Sequence, residues 1–137
     1  MNPPRVGRTQ PCSDDQARTR LSHARKFLEV AELVGGDGPE YSSVAAALAV
    51  LAGIAAADAA CCKALGRRSR GQNHHQAEDL VREIAPGGTN AANNLRRLLD
   101  RKDQAHYGFY DVSGSDLQGV LRQARAPGNF ASSVLRR

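Results

Sequence analysis

Aromatic side chains are scarce in this chain of 137 residues: three Phe, three Tyr and no Trp. A core without them must be built from Ala, Leu and Val, which favours closely packed helices over a sheet sandwich. Strand signals are missing too, since no run alternates apolar and polar residues. Cysteine is limited to Cys12, Cys61 and Cys62. The number is odd, two are adjacent and no Cys-x-x-Cys occurs, so neither a disulfide framework nor a zinc site is expected. Reduced thiols and a cytoplasmic location are the corresponding expectations. There is no phosphate-binding glycine loop, no His-Glu-x-x-His, no Gly-x-Ser-x-Gly and no dinucleotide fingerprint, so no cofactor or metal is expected. Met1 to Pro11 lacks the apolar core of a secretory signal. The most apolar stretch, Val44 to Ala57, is shorter than a bilayer span and reads as a buried helix, with no membrane partner.

What remains is a helical pattern. Residues 1–12 read as a disordered lead-in, and 13–137 as one helical-bundle domain. Ser13 before Asp14 and Asp15 starts a helix that carries Ala17, Leu21, Ala24, Leu28 and Ala31 on one stripe. Gly35 to Pro39 ends it. A second helix, from Ser42 to Leu65, is apolar nearly all round and should be central. A basic loop follows, with Arg67, Arg68 and Arg70. A third helix is expected over His74 to Ile84, a fourth from Thr89 or Asn90 to about Tyr107, and a fifth starting near Ser113 to Ser115. Pro127-Gly128 should stop or kink that last helix. Short connections between these segments predict an all-α, antiparallel bundle of about five helices.

Chemistry is sought where polar groups fall on faces that should be dry. Asp58 is the only charge between Ser42 and Cys62, on the stripe with Leu51, Ala55 and Cys62. A carboxylate there must be paired, protonated or open to a cleft. It reads either as a structural ion pair that fixes helix register or as a carboxylate that orients a functional His or Arg. On the fourth helix, Leu95, Leu98 and Leu99 face inward. Lys102 and His106 fall on the same face, and Arg101 flanks it. The net charge of +5 permits a polyanionic partner.

Arg101 to His106 has Arg-x4-His spacing near the end of the fourth helix. The same spacing occurs at Arg18 to His23 and at Arg70 to His75, but only Arg101 and His106 join it to an inward-tending face on a late helix. In this motif and in helix order, over roughly residues 14–130, the chain resembles the HEPN superfamily of small helical bundles. The resemblance implies a homodimer and a metal-independent endoribonuclease, such as a toxin or defence component with an antitoxin partner. Arg101 would grip phosphate oxygens and His106 would move protons, with Asp58, Lys102 and Tyr107 in support. The two lie about 140° apart on a straight helix, so they would line a groove and not point at one spot. Arg67, Arg68 and Arg70, with His74 and His75, would steer the RNA backbone. Tyr107, Phe109 and Tyr110 are the candidates for stacking on bases. The resemblance equally covers a non-catalytic dimeric module that binds RNA, a nucleotide or a protein, and Lys102 directly after the motif Arg fits that alternative.

Overall fold

The computed structural model describes residues 8–70, 74–101 and 112–137. Lys102, His106, Tyr107, Phe109 and Tyr110 lie outside the described residues. The chain runs β1 (Thr9–Pro11), α1 (Asp14–Gly35), a 3-10 turn (Pro39–Tyr41), α2 (Ser42–Leu65), β2 (Arg67–Ser69), α3 (His75–Arg82), α4 (Gly88–Asp100) and α5 (Gly114–Leu135). It is an all-α bundle with one two-stranded ribbon attached.

The capping chemistry at the start of α1 is complete. Ser13 Oγ accepts from the Gln16 amide at 3.1 Å, and Gln16 Oε1 accepts from the Ser13 amide at 2.9 Å. Two of the helix's orphan donors are thereby satisfied. The far end of α2 is closed by Gly66 at φ +70°, a left-handed position that glycine takes without strain.

α2 is the central element, packed against α1, α3, α4, α5 and β2. Its Ala-rich surface makes close approach possible. Gly53 shows how close: a Cβ there would lie 2.1 Å from Leu98 Cδ2. At 24 residues α2 is longer than the apolar stretch read from the sequence. With the turn before it, this segment is long and apolar enough to cross a membrane by length and composition, yet 78% of its most apolar window is buried inside the protein.

Three expectations are corrected here. Residues 8–12 of the expected lead-in are ordered, because β1 pairs antiparallel with β2, Gln10 opposite Arg68. The ribbon is extended by the Cys12 amide donating to Gly66 O and the Arg70 amide donating to Arg8 O. The expected basic loop is therefore partly a strand, which three residues of a polar hairpin-like pair could not announce.

Pro127 does not stop α5, which runs through it. Its ring is buried against Ala57, Val81, Leu95 and Phe130, and this packing offsets the helix bond that a proline forgoes. The helix α4 closes at Asp100, with the Arg101 amide turning back to Leu98 O; the expected continuation to Tyr107 falls on residues outside the described ones.

Candidate functional site

Asp58 sits on α2 with 6% of its surface exposed. Its Oδ2 accepts from Arg20 Nε of α1 at 3.3 Å. Burial pushes the Asp58 carboxyl above its ordinary value; the charges of Arg20 and Arg68 and the bond from Arg20 pull the other way without cancelling it. Arg20 reaches this place because it lies three residues after Ala17 and four before Ala24, on the apolar stripe of α1. The stripe therefore carries a cation to meet the anion on the stripe of α2.

Arg68 enters from the ribbon. Its Nη2 donates to Gln10 Oε1 at 3.2 Å, across the strand pair, and its Nη1 donates to Ser69 O at 3.4 Å. Beside it, Cys12 and Cys62 form a disulfide, with Cα atoms 5.3 Å apart. This overturns the expectation of three free thiols, and with it the argument from reduced thiols to a compartment. The spacing of 50 residues follows no framework pattern. Only the ribbon, which carries Cys12 back to the end of α2, makes the pair close. Cys61 stays free and buried. Burial first, then the nearby Asp58 and Glu83 charges, pushes its thiol up to about 12, so it remains protonated. Lys63 and Asp14 add an ion pair of 3.0 Å at the same junction of α1 and α2.

Arg20, Arg68 and the Cys12–Cys62 pair border a cleft of about 280 Å³. Arg20, Arg68 and His23 supply its cationic and titratable wall. Gln10 and Gln16 supply amides, and Pro11 with the disulfide supplies the apolar wall. No carboxylate lines it among the described residues; Asp58 stands behind Arg20 and not on the cleft surface.

The residues named from the sequence do not all meet. Gly53 faces Leu98, and Asp58 is five residues further on, about 140° round α2. Leu95 packs near Ala57 and Leu98 near Gly53, so α4 runs away from Asp58 towards Arg101. Arg101 instead meets α5: its Nη1 donates to Asp116 O at 3.5 Å, and its guanidinium covers Gly119. Asp58 therefore does not support Arg101. Arg67 is held by Glu83 in an exposed ion pair of 3.2 Å. Arg70 is exposed at the end of the ribbon. His75 Nδ1 lies 2.7 Å from Glu78 Oε2, a carboxylate group that is itself buried.

Arg20, His23, Gln16 and the Cys12–Cys62 pair were not foreseen as site residues. Arg20 had a legible signal in its place on the α1 stripe. His23 appeared only within a discounted Arg-x4-His match. A scan against models of known protein families finds no match to this chain, and a search of curated protein sequences finds none either.

Proposed function

We propose that this chain is a HEPN-like, metal-independent endoribonuclease that handles RNA at the end of α4, with Arg101 as the phosphate-binding cation and His106 as the proton-transfer group. The observation that carries this reading is the setting of Arg101. It is half-buried where an apolar helix ends, and among the described residues its guanidinium donates to a main-chain carbonyl, Asp116 O, and to no carboxylate. A guanidinium held in that way keeps donors for two phosphate oxygens. The all-α bundle is the framework the reading requires.

The same proposal includes a homodimer, in which a second Arg101 and His106 would complete the groove. Val30, Leu33, Tyr41 and Val44 are exposed large apolar side chains in or beside the turn from α1 to α2, at the end of the bundle where Arg101 lies, and Leu51 is another further along α2. It also includes action in the cytoplasm as a toxin or defence component restrained by an antitoxin.

The test is cleavage of single-stranded RNA by the purified chain in EDTA, repeated with His106→Ala and with Arg101→Ala. Cleavage by the wild type that both variants lose is the expected result. No cleavage, or equal cleavage by all three, sinks the enzymatic reading.

One observation favours a second reading, a non-catalytic HEPN-like module that binds RNA, a nucleotide or a protein. Asp58, the carboxylate that could have oriented a catalytic group, is committed to Arg20 on another face of the bundle. RNA affinity that falls with salt, without products, is the expected result for that module.

A further inference from the structure

The cleft between α1 and the β1–β2 ribbon lies on a different face from Arg101, and its lining has a chemistry of its own. We propose that this cleft is a binding site for a phosphate monoester, gripped by Arg20 and Arg68 with His23 and the Gln10 and Gln16 amides around it. It stands independently of the α4 reading.

Three observations carry it. The first is the sign of the lining: two guanidinium groups and an imidazole face the cleft, and no described carboxylate does. The acid that compensates Arg20 approaches through Nε from behind, in the protein interior. A guanidinium fixed at Nε presents its remaining edge in a set direction, which is how an arginine is prepared for an oxyanion. The second is positioning. Arg68 is anchored at both Nη atoms, by Gln10 and by its own strand, so it too is held in place before any ligand arrives. The third is size. A volume of about 280 Å³ falls at the small end of ligand cavities. It accommodates a phosphate with a small polar body such as a sugar, laid against Pro11 and the disulfide.

A terminal phosphate has the same chemistry on a free sugar phosphate and at the 5′ end of an RNA, so both sources are tested. Ribose 5-phosphate, ribose, and a short single-stranded RNA with a 5′-phosphate or a 5′-hydroxyl are titrated into the oxidised full-length protein. Binding is followed by calorimetry and by amide and guanidinium NMR shifts. The expected result is binding of ribose 5-phosphate but not ribose, with shifts at Gln10, Gln16, Arg20 and His23. If the RNA end is the source, the 5′-phosphorylated RNA binds more tightly than both ribose 5-phosphate and the 5′-hydroxyl RNA. If a free metabolite is the source, the RNA gains nothing from its 5′-phosphate.

Arg68→Gln should lower the affinity at least tenfold, and it leaves the Arg20–Asp58 pair intact. Arg20→Gln alone would strand a buried carboxylate, so it is combined with Asp58→Asn; this double variant should lose affinity to the same degree. Arg97→Ala, on an exposed face of α4, should bind as the wild type does. No binding of either phosphorylated probe at low-millimolar concentration overturns the proposal. So does wild-type affinity in both Arg68→Gln and the double variant. Cleavage of RNA by Arg101 and His106 could fail with this result standing, and the reverse.

Discussion

The Asp58 carboxylate lies 3.3 Å from Arg20 Nε, with the anion buried in α2 and the cation leaning out from α1 into a cleft. The two partners are not equally served by the contact. Arg20 keeps about a third of its side-chain surface in solvent, while Asp58 keeps 8%. The pair therefore desolvates the acid far more than the base, and desolvation outweighs attraction in setting the Asp58 titration.

A stability prediction follows from that asymmetry. The folded-state pKa of Asp58 is raised above its ordinary value by burial. Between those two values the folded protein holds a proton that the unfolded chain has released. Stability from this group is thus greatest below its ordinary pKa and falls as pH rises through the raised one. Asp58→Asn removes the cost of the buried charge and leaves Arg20 with about a third of its side chain in solvent. Its melting temperature should exceed that of the wild type at neutral pH, and the gap should close as the pH falls below the ordinary carboxylate range. A variant that melts lower at neutral pH would show that the charge is net stabilising.

The disulfide gives a sharper chemical count. Oxidised protein unfolded in denaturant should show one reactive thiol, Cys61, and the folded protein should show none, because Cys61 is buried and its thiol is pushed up to about 12. Three thiols on unfolding would mean that Cys12 and Cys62 are not joined. Reduction, or Cys12→Ser, should lower unfolding stability by about 4 kcal/mol on the loop-entropy estimate for a 50-residue separation. Denaturant melts with and without a phosphine reductant measure it.

The helices were legible because their signals are local and periodic. Ser13 with Gln16, the apolar stripe of α1 and the near-continuous apolar α2 each state their own structure. The candidate site was less legible. Asp58 could be recognised as anomalous, but its partner could not, since Arg20 is one of sixteen arginines and is chosen by how α1 packs on α2. Cys12 and Cys62 are brought together by a ribbon of three residues on each side, too short for any propensity argument. At Pro127 the helix is not stopped, which was illegible for a related reason: a proline's local cost was visible, and the core contact of its ring with α2 was not.

Close packing of α2 on α4 is tested at Gly53. Its missing Cβ would fall 2.1 Å from Leu98 Cδ2, and Leu98 is fully buried, so its side chain must shift within the core. Helix propensity favours alanine over glycine by about 1 kcal/mol. Overpacking a filled core costs about 1–3 kcal/mol and should win here. Gly53→Ala is expected to be net destabilising by up to about 2 kcal/mol in a denaturant melt. A stabilised variant would mean that the two helices separate freely at this contact.

The role of Arg101 can be probed without touching it. A Cβ at Gly119 would stand 3.5–3.7 Å from the Arg101 guanidinium, with those atoms its nearest neighbours. Gly119→Asp therefore puts a carboxylate within reach of the cation and offers it an internal partner in place of a phosphate. Gly119→Ala fills the same space without charge. If Arg101 handles RNA, the Asp variant should lose RNA affinity by about tenfold or more and lower the salt dependence by about one phosphate contact, while the Ala variant stays near wild type. Thermal melts separate this from misfolding, because the new ion pair should leave the bundle at least as stable as the Ala variant. Equal RNA affinity in both variants would place the RNA contact away from Arg101, even if cleavage assays gave no answer.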